Sequence, residues 1–217
     1  SYRQLGVTLA QLWRTDRPLV YFLVSSALFR DGLNGVFAFG GVLATNTFGF
    51  SSSEVIIFGA AANIVAGLAT ISSGLADDRL GPKPVIVGSL VGLLVTGSTI
   101  FAFHGAGKGF FWVFGLVLCL FVGPAQSASR SYLARLVPED RSGEMFGLYA
   151  TTGRVASPLS PFLFGLFVGL GALVTGQANT QYWGIIGILL VLLAGLVTML
   201  PITPAHRHST VGARAAL

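Results

Sequence analysis

The sequence contains few charged residues, and this scarcity excludes most soluble folds. Only 10% of its 217 residues are Asp, Glu, Lys or Arg, whereas a soluble domain carries about 25%. Cysteine occurs once, at Cys119, so the chain cannot form an internal disulfide. No histidine lies well inside an apolar segment, and neither a His-Glu-x-x-His motif nor a phosphate-binding loop occurs. Nothing in the sequence therefore predicts a metal site, a cofactor or an enzyme.

Long apolar runs take the place of the missing charges. A membrane helix needs about 20 mostly apolar residues, and six segments qualify: 19–43, 54–75, 85–104, 110–133, 144–171 and 182–200. The joints between them are short, so the sequence predicts an all-α membrane protein with one six-helix bundle over residues 18–201. Pro158 and Pro161 predict a kink in the fifth helix. We expect residues 1–17 to form a cytoplasmic interfacial helix or a linker, and residues 202–217 to form a disordered cytoplasmic tail.

The basic residues orient this bundle. Nine of them lie in the N-terminal stretch, the second and fourth joints and the C-terminal tail, whereas the first, third and fifth joints share only Lys108. Basic residues concentrate on the cytoplasmic side of membrane proteins. The pattern predicts that both termini are cytoplasmic, in the cytoplasmic membrane of a bacterium. It also explains the net charge of +5 without a nucleic-acid partner.

Small and polar residues form stripes at helical spacing along four of the segments, as at packed helix faces in lipid. The candidates for solute binding or coupling within these stripes are Arg30, Asp31, Asn34, Asn63, Gln126 and Arg154. The third and sixth segments lack internal charges and are predicted to be peripheral. A row opposite the first stripe is predicted to face lipid, namely Phe22, Phe29, Val36 and Leu43.

Two arginines lie near the middle of the membrane, where a charge costs about 2.5–3.5 kcal/mol or more and usually serves function. These are Arg30 and Arg154, and Asp31 is the only acid well inside a segment. Adjacent side chains leave a helix about 100° apart. We therefore expect Arg30 to face a central cavity and Asp31 to lie in a helix contact, paired with Arg154. The pair either is purely structural or competes with binding of solute or of a proton.

The second joint, "GLADDRLGPK", resembles the cytoplasmic signature of the major facilitator superfamily. The signature positions are filled by Gly74, Asp78, Arg79, Gly81 and Lys83. Ala76 and Pro82 depart from the pattern. We expect Asp78 and Arg79 to tie this helix end to its neighbours and so bias a cytoplasmic gate. Gly74 is expected to let two helices approach closely, and Gly81 to permit the tight turn. An ordinary charged turn is the alternative.

The segments "YFLVSSALFRDGLNGVFAFGG" and "GPAQSASRSYLARLVPEDRSGEMFGLYATTGR", together with the second joint, resemble the C-terminal half of the unknown-major-facilitator family. Fungal relatives in that family are autophagy-related vacuolar amino-acid effluxers. The resemblance covers about residues 15–200. It implies that the chain is half of a major facilitator fold, whose partner is an N-terminal six-helix half or a second copy.

The leading interpretation is therefore the C-terminal half of a secondary active transporter. It would move a small polar solute across the lipid bilayer by alternating access, and the resemblance implies amino acids as the cargo. The alternative is a non-transporting membrane assembly or sensor subunit. Measurement of solute counterflow in vesicles separates the two.

Overall fold

The computed structural model describes residues 17–137 and 141–202, which fold into α-helices with no strand among them. The helices are α1 (Arg17–Asn46), α2 (Ser52–Leu80), α3 (Pro82–Ala102), α4 (Lys108–Leu136), α5 (Ser142–Ala156), α6 (Leu159–Thr175) and α7 (Gly184–Met199), and a 3-10 turn, Gln181–Trp183, precedes α7. The all-α class is confirmed. The interfacial helix and the tail predicted for the two ends lie almost entirely outside the described residues.

Five helical units in this part of the chain are long and apolar enough to cross a membrane. They are α2, α3, α4, α5 together with α6, and the 3-10 turn together with α7. The sixth unit, α1, is the longest single helix with 30 residues. Its central Arg30, Asp31 and Asn34 lower its hydropathy. The six predicted segments thus correspond to six helical units.

The fifth unit breaks where its two prolines predicted a kink. α5 ends at Ala156 and α6 begins at Leu159, so the chain is interrupted at Ser157 and Pro158. Proline has no backbone N–H, so Pro158 cannot donate to the carbonyl of Arg154. The hydroxyl of Ser157 donates to that carbonyl instead, at 2.8 Å. The kink is confirmed.

The core forms around α1 and α7. Gly32 of α1 lies against Leu192, and Gly195 of α7 lies against the backbone of Phe29, so these two helices approach closely. The hydroxyl of Ser25 donates to the carbonyl oxygen of Gly195 at 2.7 Å across the same contact. α7 also packs on α3 and α6.

Two expectations about burial are wrong. Phe22 and Phe29 are fully buried, Leu43 is buried and Val36 packs against the core, so this row does not face lipid. The third and sixth units are not peripheral either. The buried share of their apolar windows is 39% for α3 and 50% for α7, against 11% for α2 and 17% for α5 with α6. The two units that lack internal charges are enclosed by their neighbours, whereas the stripes of α2 and α5 lie on the outside of this bundle.

Candidate functional site

Arg30 lies half-buried against α5. Its Nη1 donates to the backbone carbonyl of Tyr149 at 3.0 Å, and its Cζ lies 4.0 Å from the centre of the Tyr149 ring. A cation over an aromatic face in this range is electrostatically attracted to it. Within residues 17–137 and 141–202, no carboxylate oxygen lies within 4 Å of the Arg30 guanidinium. The cation therefore has an aromatic support and one backbone acceptor, but no counter-ion in the described chain.

Tyr149 is itself fixed by α4. Its hydroxyl and that of Ser129 are 2.8 Å apart, and both residues are buried. Its ring also stacks on Phe22, with ring centres 6.4 Å apart. A β-carbon built on Gly153, one turn further along α5, would lie 3.0 Å from Nη1 of Arg30. A larger side chain at Gly153 would displace the guanidinium, so the glycine leaves the room that Arg30 occupies.

Asp31 has a different partner from the one predicted. Its Oδ2 accepts a 2.7 Å hydrogen bond from the backbone N–H of Ser160, in the first turn of α6. The predicted ion pair with Arg154 is absent from the described residues, and Arg154 is exposed. The helix break frees this N–H, and a carboxylate is favourable at the positive N-terminal end of a helix.

The surroundings of Asp31 confirm the expected close helix contact. The residue is only 2% exposed. A β-carbon on Gly35, one turn further along α1, would lie 2.9 Å from Cβ of Ser160. The Ser160 hydroxyl is buried in the same contact. Asp31 thus caps a half-helix inside the bundle.

The remaining candidates do not converge with Arg30 and Asp31 in one cluster. Asn34 and Arg154 are exposed, and Gln126 is half-buried on α4. Asn63 is exposed on α2, and its side-chain N–H donates to the carbonyl of Gly59 at 2.8 Å. These roles stay predictions. The structure places the four residues on four helices, α1, α2, α4 and α5, and it shows no contact that they share.

A cavity of about 220 Å³ lies between α1, α2, α3, α4 and α7. We call it the apolar chamber. Its wall is hydrocarbon apart from the amide of Asn63 and the thiol of Cys119. An aromatic cluster adjoins it where α2 and α4 begin. In that cluster Phe58 and Phe111 line the chamber, and Phe50 contacts both of them edge-on or nearly so. Sequence reasoning did not predict this chamber.

The signature motif of the second joint is held by other residues than those predicted. Asp77, not Asp78, accepts from Arg135 of α4 at 3.1 Å, whereas Asp78 and Arg79 are exposed. Gly81 has a φ of 86°, a left-handed value that glycine adopts freely, so its predicted role in the tight turn is confirmed.

Lys83 and Gly74 complete the motif. The Nζ of Lys83 donates to the carbonyls of Leu200 and Ile202, at the end of α7, where a cation is favourable. A β-carbon on Gly74 would meet no atom within 4 Å in the described chain. The close approach predicted at Gly74 therefore stays a prediction about a partner.

Sequence reasoning missed three residues that hold the polar groups in place. They are Tyr149, Ser160 and Asp77. The proline pair beside Ser160 signals a freed backbone N–H, and the acidic doublet 77–78 signals two candidate anions. Nothing in the sequence around Tyr149 indicates its contact with Arg30, apart from its being an aromatic residue five positions before Arg154.

Comparison with known proteins gives the family. The sequence profile of the vacuole effluxer Atg22-like family matches residues 1–209. An uncharacterized MFS-type transporter, YxiO of Bacillus subtilis (strain 168), is 27% identical over 186 residues, which cover 86% of this chain and 42% of that protein. The chain thus spans less than half the length of this relative. No solved structure matches the chain significantly. The apolar helices and these two matches together identify an integral membrane protein, and the chain belongs to the vacuole effluxer Atg22-like family of MFS-type transporters.

Proposed function

We propose that this chain is the C-terminal six-helix half of a secondary active transporter for a small polar solute that carries an anionic group. One observation carries the proposal. The Arg30 guanidinium lies near the middle of the 30-residue helix α1, and most of its N–H groups have no acceptor among the described residues. A cation without a counter-ion at this depth is costly, and such residues usually mark a solute or ion pathway.

A carboxylate suits this cation better than a neutral group does. Guanidinium N–H groups form paired, charge-assisted hydrogen bonds with carboxylates. The Tyr149 ring holds the guanidinium from one side and leaves its other edges available. Amino acids, the cargo implied by the family resemblance, are one class of solute with such a group.

The exposed stripes support a second six-helix half across the solute pathway. α2 and the unit of α5 with α6 are the least buried spans, and they carry Asn63 and Arg154 outward. Polar side chains in a membrane are stable against protein or water, not against lipid. In this account the other half, or a second copy, covers these faces. Rocking of the two halves gives alternating access.

The basic residues support an orientation with both termini inside, and the bacterial relative YxiO supports the cytoplasmic membrane of a bacterium. Asp31 is proposed to act on coupling through the α6 half-helix rather than through Arg154. Losing its charge would weaken the cap on the Ser160 N–H, which could then bond within its own helix. Such a change would alter the break between α5 and α6.

Counterflow in proteoliposomes tests the proposal. The full-length protein is reconstituted in liposomes that are loaded with a mixture of amino acids. Exchange of labelled solute is then compared for wild type, Arg30→Gln and Arg130→Gln. A charged hydrogen bond contributes about 1.5–3 kcal/mol, so Arg30→Gln should raise the half-saturating concentration about 10- to 100-fold. Arg130 is exposed near the cytoplasmic end of α4 and serves as the matched control. A non-transporting assembly or sensor subunit would give no exchange above empty liposomes.

A further inference from the structure

We infer from the apolar chamber that the solute is an amphipathic anion, with its anionic group on Arg30 and an uncharged hydrocarbon group inside the chamber. This inference rests on the proposed function and narrows its substrate class. The chamber lies among five helices of the bundle and is not used by any of the contacts described for Arg30 or Asp31.

The chemistry of the wall selects a hydrocarbon group. No charged side chain lines the chamber. The Asn63 amide already donates to a carbonyl of its own helix. A water molecule needs two to four polar partners to stay in a cavity, and an apolar cavity of about 150 Å³ binds benzene instead. A chamber of about 220 Å³ is therefore large enough for a branched or aromatic hydrocarbon group.

The chamber opens on the face of α1 that carries Arg30. Phe37 lines the chamber and is 41% exposed, which places it at the mouth. It follows Arg30 by seven residues, or two helical turns, so the two side chains leave α1 within about 20° of each other. Asn34 is exposed and lies between them on this face.

α2 borders the same mouth. Gly59 and Asn63 of α2 line the chamber; Gly59 is half-buried and Asn63 is exposed. A β-carbon built on Gly59, or on Gly40 of α1, would meet no atom within 4 Å. The mouth is therefore bordered by glycines and amides, which leave a hydrocarbon group room to enter.

The distance along α1 sets the size of the solute. Seven residues correspond to about 10 Å along a helix. A solute that uses both features needs its anionic group separated from its hydrocarbon group by a similar length. Acetate can reach only Arg30, whereas 6-phenylhexanoate is long enough to reach Arg30 and the chamber together.

Titration calorimetry of the full-length protein in lipid nanodiscs tests this inference, with sodium acetate and sodium 6-phenylhexanoate as probes and empty nanodiscs as blanks. Wild type should bind 6-phenylhexanoate at least tenfold more tightly than acetate. Gly59→Leu, and independently Gly40→Val, should remove this gain and leave acetate binding unchanged. Gly88→Leu is the matched control, because Gly88 of α3 is exposed and lies outside the chamber wall, with no atom within 4 Å of a built β-carbon. Thermal unfolding confirms that each variant is folded.

Three other outcomes are possible, and each would contradict a different part of the proposal. Equal affinities for the two probes, with binding lost in Arg30→Gln, would overturn the amphipathic class and leave the proposed function standing. A gain that persists in both Gly59→Leu and Gly40→Val would assign the phenyl group to lipid or to another surface. Absence of any Arg30-dependent carboxylate binding would overturn the proposed function itself.

Discussion

Arg30 and Asp31 are neighbours in the sequence, yet the structure uses them in opposite ways. Arg30 contacts α5, and most of its N–H groups have no acceptor in the described residues. Asp31 is buried, and its carboxylate accepts a hydrogen bond from the first turn of α6. The 100° between adjacent side chains on a helix separates the two roles. One residue is therefore suited to bind solute, and the other to hold the helix break.

Replacing Asp31 tests the capping role. Asp31→Ala removes the only acceptor described for the Ser160 N–H, and an unpaired buried donor costs about 1–3 kcal/mol. Asp31→Asn keeps an oxygen acceptor and should lose less than half as much. Ser160→Ala is the control, because it removes only the hydroxyl and keeps the backbone N–H that donates to Asp31.

The measurement is thermal unfolding of the purified full-length protein. Asp31→Ala should lower the midpoint clearly, and Ser160→Ala should leave it nearly unchanged. Equal destabilisation by the two variants would show that packing, not the hydrogen bond, stabilises this contact.

At the scale of elements, the sequence predicts the helices better than their surroundings. The apolar runs and the proline pair place six units and one kink correctly, because length and proline chemistry act locally. The burial of individual side chains is harder to predict from the sequence. Phe22 and Phe29 look lipid-facing from periodicity, because lipid and a membrane-protein core are equally apolar.

The polar partners were also only partly predictable. Counting charges suggested Arg154 for Asp31, but the partner is a backbone N–H, which no side-chain inventory contains. In the second joint the motif pointed to Asp78, and the ion pair forms one residue earlier, at Asp77. One residue on a helix is 100° of rotation, which motif spacing alone does not resolve.

The packing of α2 on α4 gives a prediction at this scale. A β-carbon on Gly123 would overlap the hydroxyl of Thr70 and the backbone carbonyl of Ala66. Backbone cannot move aside as a side chain can, so Gly123→Val should cost about 3 kcal/mol or more. Gly88→Val replaces an exposed glycine of α3 that no atom approaches within 4 Å, and it should cost about 1 kcal/mol or less. The two variants are compared by the yield of folded protein in size-exclusion chromatography, and comparable yields would contradict this packing.

The ion pair between Asp77 and Arg135 gives a second prediction about the packing of α2 on α4. Both partners keep some solvent contact, with side-chain exposures of 12% and 51%, so the pair should stabilise the α2–α4 contact by about 1 kcal/mol. Asp77→Asn should therefore lower thermal stability more than Asp78→Asn does, and Arg135→Gln should add little in the Asp77→Asn background. A larger loss from Asp78→Asn would restore the role that the motif predicted.

At the scale of the whole molecule, the bundle has one closed core and one open side. The core contains α7, the most apolar unit, and the open side carries the stripes of α2 and α5. The relative YxiO is more than twice as long as the matched region, so there is room in such a protein for a second six-helix half. The central claim is that this second half covers the open side.

The most direct test measures what surrounds the stripe of α2 in the membrane. Spin labels are attached to Gly67→Cys and, separately, to Leu68→Cys, in the full-length protein with Cys119→Ala. These adjacent positions are both exposed in the described bundle, at the same depth and about 100° apart. The account predicts that molecular oxygen from the lipid phase reaches the label at 68 freely and the label at 67 poorly, and that the difference disappears in residues 1–217 alone. Equal and high oxygen accessibility at 67 and 68 in the full-length protein would contradict it.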